Sequence, residues 1–221
     1  MRWAVFRLVV VSCCVAAGVA CASSVSFTGT FTTDDQLEIF LFTAPSASFV
    51  AQTWGYAGGT NGAGQVIPAG GFDPVLSLFD ATGGLTAASP VVTFTYNAGV
   101  GVATDPSSGQ AFDSILALSN LDPAHTYALV LSEVDNLPNG STFGDGFSQT
   151  GNGDFTPGEF GCGGTAFCDP SASQRNGDWA VDISGVASAT DTTAAPEPQS
   201  ILLLSCGMVG LTMFRRRRKR V

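Results

Sequence analysis

Positive charge is scarce where it would matter. The chain carries nine Lys and Arg against eighteen Asp and Glu, a net charge of −9. Eight of the nine cations sit at the two ends: Arg2 and Arg7 at the front, and Arg215, Arg216, Arg217, Arg218, Lys219 and Arg220 at the back. Between residues 23 and 195, Arg175 stands alone against seventeen carboxylates. Such a stretch is repelled by nucleic acid and by anionic lipid headgroups, which excludes both as partners of the body. It suits solubility outside the cell, and it can attract divalent cations.

Histidine is almost missing. His125 is the single one, so a catalytic metal held by clustered histidines is excluded. A Ser-His-Asp triad would have to use His125, and no Gly-x-Ser-x-Gly elbow is present. His125 lies in Asp122-Pro123-Ala124-His125-Thr126-Tyr127, a turn entering a strand. The sequence therefore reads as non-enzymatic, with a hydrolase built on His125 as the contrary hypothesis.

Of six cysteines, Cys13, Cys14 and Cys21 fall in the first segment and Cys206 in the last. That leaves Cys162 and Cys168, expected as a disulfide in an exported chain. The loop is short, so chain entropy gives about 2–2.5 kcal/mol. A zinc site would need about four ligands, and no histidine is near.

Between residues 23 and 185, a convincing helical period of ten or more residues is also lacking. What is there alternates. Val25-Ser26-Phe27-Thr28-Gly29-Thr30-Phe31-Thr32 has the two-residue period of a half-buried strand. Strand-like runs follow at 36–43, 49–56, 74–80, 91–96, 113–118, 127–133 and 179–183, separated by Gly, Asn, Asp and Pro turns. The pattern predicts an all-β chain with one jelly-roll-like β-sandwich over residues 23–185. Two stretches resist strand assignment. Residues 57–71 are mostly Gly, Ala and Asn. Residues 136–175 form a long segment that the cysteine pair and Phe143, Phe147, Phe155, Phe160 and Phe167 should tether. Residues 186–195, rich in Ser, Thr, Ala and Asp, read as a flexible linker.

The ends are processing signals. Two arginines and an apolar run lead to Val19-Ala20-Cys21-Ala22-Ser23, a small-x-small site. Residues 1–22 are expected to be a signal peptide, with maturation at Ser23 and lipidation of Cys21 as the alternative. At the other end, residues 196–221 run Pro196-Glu197-Pro198, an apolar stretch from Ile201 to Phe214, then the basic run. The apolar stretch spans about 21 Å as a helix against a hydrocarbon core of about 30 Å. It reads as a short C-terminal transmembrane helix with its basic end on the cytoplasmic side.

This order of elements resembles the PEP-CTERM sorting signal of Gram-negative bacteria. The resemblance implies recognition of Pro196, Glu197 and Pro198 by a membrane-embedded exosortase, with Arg215, Arg216, Arg217, Arg218, Lys219 and Arg220 as stop-transfer. It implies an inner-membrane precursor processed by signal peptidase and exosortase, then a cell-surface or extracellular protein associated with exopolysaccharide. The body has its own likeness. Gly71-Phe72-Asp73-Pro74-Val75-Leu76-Ser77-Leu78-Phe79-Asp80-Ala81-Thr82-Gly83 and Thr126-Tyr127-Ala128-Leu129-Val130-Leu131 are similar to pre-peptidase C-terminal-type β-sandwiches. Thr53-Trp54-Gly55-Tyr56, Glu133-Val134-Asp135-Asn136 and Arg175-Asn176-Gly177-Asp178-Trp179 resemble an uncharacterised domain found with PEP-CTERM tails. One departure is plain: Thr95-Tyr96-Asn97-Ala98-Gly99 stands where pre-peptidase-type domains carry an Asn-Asp-Asp cluster.

Calcium is the candidate ligand, because it takes six to eight oxygens from carboxylates, amides and backbone. Asp73, Asp80, Asp105, Asp113, Asp135 and Asn136 sit at strand ends and turns. Asp145, Asn152, Asp154 and Glu159 form a second group. Neither matches an EF-hand loop, and aspartate also favours turns for local hydrogen bonding. Trp54, Tyr56 and Trp179 could stack on sugars or simply fill the core. Arg175 is expected to pair with Asp178 or another carboxylate. A calcium- or carbohydrate-binding module is thus the alternative to a plain surface or matrix protein.

Overall fold

The computed structural model describes residues 23–43, 48–96, 101–186 and 188–192, with backbone alone at Ser23 and Tyr96. The expected signal peptide, residues 187 and 193–195 of the expected linker, the Pro-Glu-Pro segment, the expected transmembrane helix and the basic tail lie outside the described residues. Among the described residues, no helix is long and apolar enough to cross a membrane.

The chain is all-β. Among the described residues, eleven strands run in order: β1 Ser23–Thr30, β2 Glu38–Thr43, β3 Phe49–Thr53, β4 Gly59–Thr60, β5 Val66–Ile67, β6 Pro74–Asp80, β7 Val91–Tyr96, β8 Ile115–Leu118, β9 Thr126–Glu133, β10 Asp178–Val186 and β11 Ala189–Asp191. A four-stranded sheet has the order β1-β10-β3-β8, and a five-stranded sheet the order β11-β2-β9-β6-β7. All pairings within the two sheets are antiparallel. The two sheets face each other across one apolar core, a sandwich-like arrangement. Phe40 and Phe42 of β2, Leu76 and Leu78 of β6, and Leu129 and Leu131 of β9 meet Phe49 and Ala51 of β3 and Val181 and Ile183 of β10. Those residues are two apart in each strand, as the pleat requires.

Strands β6 and β9 are buried on both faces. The reason lies in the long segment after β9. Phe143 and Phe147 fold back over the outer side of the five-stranded sheet and join Phe79, Ala81, Ala128 and Val130 in a second apolar cluster. The Phe79 and Phe143 rings meet edge-on at 5.3 Å. Phe167 enters the main core instead, stacked on Phe72 at 5.8 Å. Phe155 and Phe160, also expected to pin the segment, belong to neither cluster.

Side-chain caps hold the same segment from below. Asp34, fully buried in the β1–β2 turn, accepts hydrogen bonds from the N–H and hydroxyl of Thr156 and from the N–H of Phe167. Thr156 opens a single-turn helix, α1 (Thr156–Phe160), which ends on Gly161 in the left-handed conformation. Cys162 and Cys168 are paired at disulfide distance, with Cα atoms 5.8 Å apart.

Two stretches are more regular than their composition suggests. Residues 57–71 contain the small hairpin β4–β5. The first part of the expected linker belongs to the fold, because β10 continues to Val186 and β11 pairs with β2 through Ala189, Thr190 and Asp191. An edge strand satisfies its backbone by pairing and needs little apolar content, which is why composition misses it.

Gly71 fastens the 57–71 loop to the start of β10. Its N–H donates to the Gly55 carbonyl at 2.9 Å, and it bridges Asn176. A Cβ there would lie 2.2 Å from the Asp178 carbonyl oxygen and 2.8 Å from that of Gly55. Gly71→Ala is expected to cost about 1–3 kcal/mol by overpacking. Gly158→Ala, whose Cβ would meet nothing within 4 Å, should be close to neutral. Urea denaturation of the two variants checks this, and equal midpoints would contradict it.

Candidate functional site

Arg175 organises one end of the fold. Its side chain is buried, and its Nε donates to Asp169 Oδ2 at 2.8 Å and its Nη1 to Asp105 Oδ2 at 3.0 Å. Its Nη2 donates to the hydroxyl of Tyr56, and the guanidinium carbon sits 3.9 Å from the centre of the Tyr56 ring. Tyr56, with no exposed surface, donates from its hydroxyl to Asp169 at 2.7 Å. The partners are therefore Asp105 and Asp169, and not the neighbouring Asp178, which accepts from Thr30 on β1. Asp178 opens β10 and turns to β1, whereas Arg175 precedes that strand, so a short sequence separation does not make a pair. Burial pushes the Asp105 carboxyl up, but bonds from Ser107, Ser108 and Arg175 outweigh it and hold the group well below the usual range. Burial raises Asp169 in the same way, and bonds from Ser171, Tyr56, Ser173 and Arg175 bring it below its ordinary value.

The six expected calcium ligands do not converge. Asp73 and Asp80 lie at opposite ends of β6, roughly 20 Å apart along a strand of that length. Asp105 belongs to Arg175. Asp113 accepts from the Tyr56 and Ala57 N–H groups and from the Thr53 hydroxyl, closing the turn after β3. Asn136 donates to the Asp35 carbonyl and accepts from the Gln149 N–H. In the second group, Asp145 caps its own turn through Thr142, and Asn152 donates to Gln149. Among the described residues, no set of three or more His, Cys, Asp or Glu side chains is arranged to hold a metal ion.

Asp73 precedes Pro74, which pairs with Glu133 across β6 and β9. Both carboxyls are fully buried, and among the described residues none of their four oxygens has a hydrogen-bond partner. Burial, and then the charges of Asp169, Asp135 and Asp113, push the Asp73 carboxyl well above its ordinary range against the opposing pull of Arg175, and burial, then Asp73, Asp34, Asp169 and Asp135, do the same to Glu133. Glu133 was legible in principle. It follows Tyr127, Leu129 and Leu131 on the inward face of β9, so a carboxylate stands where the alternation calls for an apolar side chain. Glu159 leaves the second group and meets Asp135, and burial followed by that neighbour raises its carboxyl.

At the far end of β6, His125 Nδ1 lies 2.7 Å from Asp80 Oδ2, and its Nε2 lies 3.7 Å from Asp122 Oδ2. The nitrogen that would deprotonate a nucleophile in a triad faces a carboxylate. Of the candidate sugar-stacking rings, Tyr56 and Trp179 are buried. Trp54 is half-buried and donates its indole N–H to Asp182 at 2.7 Å. Trp179 lies against Gly29, where any Cβ would come within 2.3 Å of the indole. The two help line an open groove of about 370 Å³, together with Thr28, Val66, Asn176 and Asp178. Val66 there is 81% exposed.

No protein family, curated protein or solved structure matches the chain.

Two outcomes follow from these electrostatics. Arg175→Ala would leave Asp105 and Asp169 buried and unpaired, and an expected loss of about 3–5 kcal/mol should appear in equilibrium unfolding; a loss below about 1 kcal/mol would contradict the assignment. Glu38 gives a pH effect. Burial, and then the Asp191 carboxyl beside it, push Glu38 from 4.5 up to about 8. In that window the folded chain keeps a proton that the unfolded chain has released, so this group's contribution falls as pH rises from 4.5 to about 8. Glu38→Gln should remove that decline, melting above its parent at the alkaline end. Melting curves for the two that run parallel across the window would count against it.

Proposed function

We propose that the chain is an exported, non-enzymatic surface or extracellular-matrix protein of a Gram-negative bacterium, sorted through its tail by an exosortase and associated with exopolysaccharide. The observation that carries this reading is the order of elements along the chain: two arginines and an apolar run ending in Ala20-Cys21-Ala22 at the front, and Pro196-Glu197-Pro198, an apolar stretch and the basic run from Arg215 to Arg220 at the back.

Other features support it. With β4, β5 and β11 set aside, the eight remaining strands alternate between the sheets except at the β6–β7 hairpin, in the order of two Greek keys, which we read as a jelly roll. Jelly rolls serve widely as capsid and lectin scaffolds. The cysteine pair at disulfide distance suits an oxidising compartment. His125 is held between two carboxylates, and the sole cation of the body is spent inside the fold. The groove beside Trp179 offers a mixed polar and apolar surface to a polysaccharide, with exposed Val66 on its rim.

Mass spectrometry of the protein from its producing cells should find Ser23 as the first residue and a carboxyl end close to Pro196-Glu197-Pro198. A chain lacking residues 196–221 should lose that processing and its surface location. Unchanged processing and location in the truncated chain would sink the sorting reading. In a pull-down with the strain's exopolysaccharide, Val66→Asp should reduce retention, and full retention would remove the groove from the account.

A further inference from the structure

The hairpin β4–β5 is fastened to the outer face of the four-stranded sheet. Val181 and Ile183 of β10 enter the core, so Asp182 between them faces outward. It accepts from the Ser26 hydroxyl on β1, from the Trp54 indole N–H at 2.7 Å, and from the N–H of Gly62 at the hairpin turn at 2.7 Å. Trp54 also lies against the hairpin, because a Cβ on Gly59 would come within 2.9 Å of its ring. Past β5, the Gly70 N–H donates to the Tyr56 carbonyl at 3.1 Å. A two-stranded hairpin is marginal by itself, and these ties fix its position. They leave an open groove of about 370 Å³ between the hairpin and the paired strands β1 and β10.

The hairpin side of the groove is apolar, with Val66, Ile67 and Pro68 in succession. The sheet side is polar. Thr30 pairs with Asp178, and Thr28 stands two residues back, so all three share the outer face. Their neighbours in the groove are Gln65 and Asn176. Each of the longer polar side chains spends one end on the fold. Asp178 accepts from the Thr30 hydroxyl through Oδ1 at 2.7 Å, Asn176 accepts from the Asp178 N–H through Oδ1 at 2.9 Å, and Gln65 accepts from Asn61 through Oε1 at 2.8 Å. Among the described residues, Asp178 Oδ2, Asn176 Nδ2, Gln65 Nε2 and the Thr28 hydroxyl have no hydrogen-bond partner. One carboxylate oxygen, two amide donors and a hydroxyl therefore converge beside an apolar wall, the make-up of a ligand site.

We propose that this groove binds a polysaccharide with free amino groups, a hexosamine chain that has lost some or all of its acetyl groups. The proposal rests on the exopolysaccharide reading above and names the chemistry of the polymer. A sugar ring carries hydroxyls that both donate and accept, which suits the two amides and Thr28, and C–H faces that suit Val66, Ile67 and Pro68. Charge then selects among polysaccharides. The body has seventeen carboxylates and one cation, and that cation is buried against Asp105 and Asp169. A chain of uronic acids, or of sulfated or phosphorylated sugars, is repelled. Ammonium groups are drawn in, and Asp178 Oδ2 gives one of them a charged acceptor inside the groove. The unspent groups are side-chain ends, which fits a hydroxylated ring better than an extended peptide recognised through its backbone.

The test is calorimetric titration of protein purified from cells producing the full-length chain, at mildly acidic pH where the amines are protonated. The probes are a glucosamine hexamer, its fully N-acetylated counterpart, a galacturonate hexamer and hexalysine. The glucosamine hexamer should bind most tightly, and added salt should weaken it. The N-acetylated hexamer should bind more weakly and the galacturonate hexamer not at all. Asp178→Asn should weaken the glucosamine hexamer about two- to five-fold, the range of an exposed ion pair, and leave the N-acetylated one nearly unchanged. Asp154→Asn removes an exposed carboxylate that does not line the groove and should have no effect. Equal losses in the two variants, or hexalysine binding as tightly as the sugar, would reduce the effect to unspecific attraction and overturn the site. A chain that its strain's exopolysaccharide retains, yet that ignores the glucosamine hexamer, overturns the amino-sugar assignment alone. Loss of both overturns the exopolysaccharide association as well.

Discussion

The buried guanidinium of Arg175 is the constraint around which one end of the molecule is arranged. A body with seventeen carboxylates and one cation can neutralise very few charges internally. It places that cation where three chain segments meet. Asp105 comes from the β7–β8 connection, Asp169 from the long segment after β9, and Tyr56 from the turn after β3. The planar fork of arginine can serve several oxygens at once in fixed directions, which lysine cannot do. Asp113 then satisfies the backbone of the same turn, and the Tyr56 ring packs against Phe112 at 5.0 Å.

Committing the cation there leaves the buried carboxyls of Asp73 and Glu133 without a hydrogen-bond donor among the described residues. Other buried acids are well supplied with donors. Asp34 receives donors from Thr156 and Phe167, and Asp182 receives them from Ser26, Trp54 and Gly62. Against that background two carboxylates with four unsatisfied oxygens are an exception, and exceptions to local consistency tend to fall at functional sites.

Much of the architecture was legible along the chain. The runs at 74–80 and 91–96 match β6 and β7 residue for residue, because their alternation or continuous apolarity is bounded by strong turn signals. The hairpin β4–β5 was not legible, since Gly59-Thr60 and Val66-Ile67 are too short to show a period. β11 was hidden in a Ser, Thr and Ala stretch whose strand character comes from pairing with β2. The candidate site was read only in part. Asp73 and Asp135 were singled out by their turn positions. Asp80 was grouped with them although a whole strand separates it from Asp73, and Glu133 was passed over because it sits within a strand.

The sequence by itself determined the all-β character, the cysteine pairing, the anionic body and the expected processing signals at both ends. Each depends on composition, period or order along the chain, which one dimension records. Tertiary structure alone decided which carboxylates receive Arg175, which receive backbone donors, and which are buried without a donor among the described residues. Those outcomes depend on strand register and on loops that return from distant parts of the chain. Burial then turns a tolerable surface charge into one that must be matched by a partner.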